Sequence, residues 1–248
     1  MLDRAEPGLF DGLIALADDH LILGHRLSEW CGHAPMLEED LSLANMALDL
    51  IGQARVLYAH AAEVEGAGRS EDDLAYLRVE RDFRNCLLVE QPNGDFAHTM
   101  LRQLYVAAFM EPYWEAATAS SDAVIAGAAG KAVKESAYHL RHSAEWVIRM
   151  GDGTEESAGR MAAAVAALHP YTGELFEAAG PTGAFPDRAT LRPTWDATIA
   201  EVFGRAGLTI PDVPHPYSGG RTGLHSEHLG YLLAEMQYLQ RAHPGATW

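Results

Sequence analysis

The period of the apolar residues constrains this chain most. From Phe10 onward they return every three to four positions, in long stretches punctuated by glycine and proline. That is the spacing of one helix face, and no segment alternates with the period of two that a half-buried strand requires. The chain is therefore expected to be all-α. A first helix is predicted over residues 10–31. Pro35 opens a second, with Glu38, Glu39 and Asp40 in its first turn, where carboxylates meet the positive end of the helix dipole. It runs to Glu65 and stops at Gly66 and Gly68.

A shorter helix is predicted over 70–89, opened by a Ser70–Asp73 capping pair. Gln91-Pro-Asn-Gly-Asp95 is a turn. A third long helix follows to about Ala119, bent at Pro112. A fourth covers 122–150 and ends at Gly151 and Gly153. Beyond it come helices over 154–177 and 194–206, and a loop over 180–188. Residues 208–223, rich in proline and glycine, form an ordered loop or a flexible arm, and a last helix spans 224–241. Four long helices with the 70–89 segment crossing between the second and third give the topology of a ferritin-like four-helix bundle. The expectation is one ferritin-like domain over 1–248, with its core bundle at about 10–150 and a C-terminal helical extension at about 151–248.

Charge and cysteine use exclude several classes. Eighteen basic against 35 acidic residues leave a net charge of −17, which repels phosphate backbones, so no nucleic acid partner is expected. No apolar run of about eighteen residues occurs, so no membrane span is expected. The acidic first ten residues lack a signal-peptide pattern, which makes the cytoplasm the expected compartment. Cys31 and Cys86 lie far apart without metal-type spacing and read as free or packed thiols. No nucleophile elbow or phosphate loop is present.

Several strings carry a resemblance. They are LILGHRLSEWCGHAPMLEEDLSLANMALDLIGQAR (21–55), FRNCLLVEQPNGDFAHTMLRQ (83–103), YHLRHSAEWVIRMGDGTEES (138–157), HPYTGELFE (169–177) and GLHSEHLGYLLAEMQYLQRAHPGATW (223–248). Through them nearly the whole chain resembles the structural, non-catalytic subunits of the phenylacetyl-CoA epoxidase family. The resemblance implies a multicomponent monooxygenase of aerobic phenylacetate breakdown. Its di-iron site would lie on a related ferritin-like catalytic subunit, and a reductase component with flavin and an iron–sulfur centre would supply electrons. This chain itself would carry no cofactor and no catalytic residue. Its partners would be the catalytic subunit and the other epoxidase components.

A di-iron bundle needs one glutamate from each of two helices and a Glu-x-x-His pair from each of the other two. Laid on the predicted helices by their midpoints and the family's ligand separations, the pattern falls on Asp19, on Asp49 with Gly52, on Val106, and on Glu135 with Tyr138. Gly52 and Tyr138 stand where histidines belong, and Val106 where a carboxylate belongs. Shifting by one brings in His139 but leaves Gln53 opposite, so the site is expected to be a degenerate remnant without metal. A stand-alone di-iron oxidase and a plain helical interaction protein remain the alternatives.

Other groupings have bland readings. Asp95 caps a helix ahead of His98, while His139/His142 and His225/His228 are packed or surface pairs lacking a third ligand. If Asp19, Asp49 and Glu135 face the interior without metal, they need other counter-charges. Arg26 or Arg102, with histidines of the fourth helix, is the expected replacement. Finally, the first two helices are apolar nearly all round, with Phe10, Leu13, Ile14 and Leu21 on one side of the first and Leu16, Leu23 and Trp30 on another. Both are expected to form the partner interface.

Overall fold

The computed structural model describes residues 8–181 and 183–246. Helix α1 (Leu9–Ser28) lies along α2 (Leu37–Glu65), and α5 (Phe96–Ala117) lies along α6 (Ala123–Gly151). These four long helices are the bundle, joined across its middle by α2 against α6. Local chemistry sets their ends. The α2 terminus is Gly66 at φ 65°, the left-handed conformation that glycine adopts without a Cβ penalty. Asp122 starts α6 by accepting from the backbone N–H groups of Val124 and Ile125, and Asp95 starts α5 by accepting from that of His98. Pro112 sits inside α5.

The crossover departs from expectation. The single helix predicted over 70–89 is broken into α3 (Glu71–Tyr76), a 3-10 turn (Glu80–Asp82) and α4 (Leu87–Glu90). Ser70 and Asp73 do form the capping pair. Between turn and α4 the backbone is extended at Phe83 and Cys86. There the N–H groups of Arg84 and Cys86 donate to the buried carboxylates of Asp18 and Asp19 at 2.7 Å each. A helix would tie those donors to its own carbonyls, so capture of two buried acids outweighs the helical pattern.

The C-terminal part covers the bundle. Helix α7 (Glu155–Leu168) packs on α5 and tightens into a 3-10 segment (His169–Phe176), rather than continuing as one helix to Glu177. A 3-10 turn (Arg188–Leu191) leads into α8 (Arg192–Ala206), which lies on α6 and α5. The helix predicted over 224–241 is interrupted at Gln237, giving α9 (Glu227–Met236) and α10 (Tyr238–Ala242). The Gln237 amide there donates to the carbonyls of Ala75 and Arg78 in the crossover.

One apolar cluster runs from Leu13 of α1 to Leu233 of α9. Helix α1 is its axis: Leu13, Leu16, Ala17, Ile22 and Leu27 have no exposed surface, and Leu21 and Leu23 are buried too. Both apolar sides of α1 are thus consumed within the chain, which removes α1 from the expected partner surface. Cys31 is exposed, Cys86 is buried, and both are free.

Candidate functional site

Of the six expected site positions, two are buried in the bundle, two lie at the seam between α2 and α6, and two face outward. Asp19 and Val106 are buried, and Glu135 lies at the seam between α2 and α6. Asp49 lies on the same seam and is one-third exposed. Gly52 and Tyr138 face outward. The inward positions are their neighbours Gln53 and His139, so the true register is shifted by one residue, or about 100° of helix.

Polar groups at the seam pair with one another, although the Gln53 Oε1 and His142 Nδ1 atoms have no hydrogen-bond partner among the described residues. His139 Nε2 is 3.1 Å from Asp49 Oδ2. The Gln53 amide donates to Glu135 Oε2 at 2.8 Å, and the Lys131 ammonium sits 3.0 Å from Glu135 Oε1. One turn toward the end of the bundle, His142 Nε2 lies 2.9 Å from Glu39 Oε2. His139 therefore partners one of the three expected acids, whereas His142 lies against Glu39, which was not among them.

Asp19 is held from an unexpected direction. Arg221 donates to both of its oxygens at 2.9 and 2.7 Å, Arg188 lies 3.8 Å away, and the Cys86 N–H completes the set. Burial alone would raise the Asp19 carboxyl pKa; Arg221 and Arg188 outweigh it and hold the group below the usual range. Arg26 and Arg102 do not perform the role assigned to them. Arg26 donates to the Glu90 carbonyl and to Glu29, and Arg102 donates to the Gln91 carbonyl and Asn93. Both sit near the end of the bundle where the Gln91–Asp95 turn leaves carbonyls without helical donors, and those carbonyls take them.

Next to Asp19, Asp18 pairs with Arg78, the Tyr58 hydroxyl and the Arg84 N–H. Glu90 accepts from Asn85, the Ser226 N–H and His225. His225 also reaches the Phe83 carbonyl at 3.0 Å. With acceptors at both ring nitrogens the imidazolium is favoured. Burial works against the charge, yet Glu90 raises the pKa of His225 overall. Glu174, buried, accepts from the N–H groups of Leu87, Gly219 and Gly220. Together these bonds fasten residues 219–226 to the crossover and to the 3-10 segment that carries Glu174, so the glycine-rich end of the 208–223 stretch is an ordered loop. None of Arg78, Arg188, Arg221, Glu90, Glu174 or His225 was assigned by sequence reasoning. The available signal was Asp18-Asp19, two consecutive acids inside an apolar helix, which must meet buried cations.

His20 is buried, with Nδ1 donating to the Leu16 carbonyl at 2.7 Å and its ring against Trp114. Burial pushes its pKa down to about 4, so it is neutral. Among the described residues, no group of three or more His, Cys, Asp or Glu side chains is arranged to hold a metal ion. The donor chemistry does not fit a di-iron cluster either. An ammonium and an amide occupy the Glu135 carboxylate, a valine holds the α5 position, and α2 offers a glutamine where an imidazole is required.

Fold and interior define a class: a ferritin-like helical bundle whose central acids are paired with its own side chains. The chain belongs to the family described as phenylacetic acid catabolic protein, whose model matches residues 1–248. It is 46% identical over 241 residues to a 1,2-phenylacetyl-CoA epoxidase subunit of Escherichia coli (strain K12), an overlap of 95% of this chain and 97% of that protein. The resemblance of the sequence strings to phenylacetyl-CoA epoxidase subunits is thereby confirmed. No helix among the described residues is long and apolar enough to cross a membrane.

Proposed function

We propose that this chain is the non-catalytic structural subunit of a multicomponent phenylacetyl-CoA 1,2-epoxidase in aerobic phenylacetate catabolism, acting in the cytoplasm. It pairs with a ferritin-like catalytic subunit. The di-iron centre belongs to that subunit, and flavin and iron–sulfur cofactors belong to the reductase component. The relative named above, a subunit of such an epoxidase, supports the assembly. The observation that carries the non-catalytic role is the Lys131–Glu135–Gln53 contact. A cation and an amide donor engage both oxygens of the one glutamate that a mid-bundle metal would need from α6. The same contact counts against a stand-alone di-iron oxidase. The test is co-expression with the catalytic subunit, followed by sizing, metal analysis and an epoxidation assay with each chain omitted. The expected result is no turnover by this chain alone and no stoichiometric iron on it, since its carboxylate–imidazole donor set is incomplete. Turnover should appear when both chains are present. Oxygen-dependent epoxidation by this chain alone refutes the reading.

A further inference from the structure

Helix α2 leaves one long apolar stripe uncovered. Leu37 is 69% exposed, Leu41 58%, Leu48 67% and Val56 43%. With Asn45 and Gly52 these residues recur every three to four positions, so they share one face over about 28 Å of helix. A Cβ added at Gly52 would meet nothing within 4 Å, so the middle of the stripe is flat and open. The opposite side of α2 is spent on the core, through Leu43, Met46, Ala47, Leu50, Leu57 and Tyr58. A helix apolar on both sides belongs in the interior of a larger assembly.

The rim of this stripe shows what covers it. Across the Asp49–His139 and Gln53–Glu135 seam, α6 presents Lys134, Tyr138 and Arg141 one turn apart on its outer face. Lys131 and Lys134 are the chain's two lysines. The Arg141 guanidinium lies 5.7 Å from the centre of the Tyr138 ring. Neither Lys134 nor Arg141 forms an ion pair among the described residues. In a chain of net charge −17, a row of unpaired cations beside an apolar row is a local reversal of sign. Glu38 and Glu63 lie near the ends of the stripe, Asp49 beside its middle is turned to His139, and Glu145, one turn beyond Arg141, is turned to Arg149. Two copies meeting isologously would bring two cation rows into one contact, without an acidic row to receive them.

We propose that the α2 stripe and the Lys134–Tyr138–Arg141 row form the docking surface for the catalytic subunit. That subunit would seat a helix carrying an apolar stripe flanked by carboxylates. The proposal rests on the function proposed above and gives it a surface. The complete contact buries more than about 2,000 Å², as obligate pairs do.

The experiment uses the full chain co-expressed with the catalytic subunit of the same organism. Leu41→Glu/Leu48→Glu replaces exposed residues, so helical content and melting temperature of the lone chain should stay unchanged. Binding of the catalytic subunit should weaken by about 30-fold or more, the scale of losing an interface hot spot. Lys134→Glu/Arg141→Glu should weaken binding at low salt and flatten its salt dependence. Tyr231→Ala/Tyr238→Ala, at exposed aromatics of α9 and α10, should leave binding unchanged. Hydrogen exchange of the wild-type complex should slow over residues 37–56 and 131–141. Full-strength binding by the Leu41/Leu48 variant overturns the surface while leaving the functional reading intact. Binding lost only through Tyr231 and Tyr238 does the same. A wild-type chain that self-associates through this stripe, and is split by the leucine variants, also overturns it. A wild-type chain that neither binds the catalytic subunit nor restores turnover refutes the functional reading itself.

Discussion

Replacing Arg221 with alanine isolates one buried ion pair that ties the C-terminal part of the chain to α1. Arg221 reaches Asp19 from 202 positions away and donates to both carboxylate oxygens. Asp19 is 1% exposed. In Arg221→Ala the carboxylate keeps the Cys86 N–H and the more distant Arg188, 3.8 Å away, but loses its bidentate partner. Breaking a buried pair from one side costs about 3–5 kcal/mol, chiefly because the remaining charge stays desolvated. For a chain of this size that corresponds to a fall in Tm of roughly 6–20 °C. The pH dependence has a definite sign. In the wild type the Asp19 pKa is lowered, so its stabilisation is complete above the unfolded value near 3.8 and is lost as pH falls through the folded value. Without Arg221 burial dominates and the pKa rises, so the variant is penalised most at neutral pH. The difference between the two proteins should therefore shrink between pH 7 and pH 4. Urea unfolding followed by circular dichroism at several pH values reads it directly. A loss below about 1 kcal/mol at pH 7, the level of an exposed pair, or a difference that does not change with pH, would refute the reasoning.

Three further perturbations test other parts of the structure. His225 carries a raised pKa, so its contribution is complete below the unfolded value of 6.5 and is lost as pH rises through the folded value; His225→Gln should show a flatter fall in stability between pH 6 and pH 9, and an unaltered slope would clear His225 of the role. Gly151→Ala would place a methyl 2.5 Å from the Ala206 carbonyl oxygen, so α6 and α8 should separate at a cost of about 1–3 kcal/mol in urea unfolding, whereas neutral behaviour would mean that the crossing is loose. Asp49→Asn alters a partly exposed partner of His139, and activity of the reconstituted epoxidase should stay within a few-fold; a collapse in a well-folded complex would show that this chain does chemistry.

Much of the fold was legible in the sequence because its determinants are local. Helical periodicity, Gly66, Asp95, Asp122 and the Ser70–Asp73 pair act within a turn of themselves, and the four bundle helices lie where those signals put them, with ends displaced by a few residues. The mismatch of the donor set with a di-iron site was also legible, since no register supplies two Glu-x-x-His pairs. The family resemblance followed from long strings rather than from any single motif, and the comparison with a 46% identical relative agrees with it.

Packing decided the rest. Whether Gly52 or Gln53, and Tyr138 or His139, faces the interior depends on a rotation of about 100° that separates adjacent residues, and only the fit of α2 against α6 selects it. The cationic partners of Asp19 come from beyond residue 187, and a helical wheel holds no information across such separations. The same holds for the crossover, where extended backbone at Phe83 and Cys86 is favoured only because Asp18 and Asp19 lie buried opposite it. Helix α1 and helix α2 each carry apolar residues on two sides, yet α1 is enclosed by its own chain and α2 is not. Apolar content is a property of the segment, whereas enclosure depends on what the remainder of the chain lays over it, and that is settled only by tertiary structure.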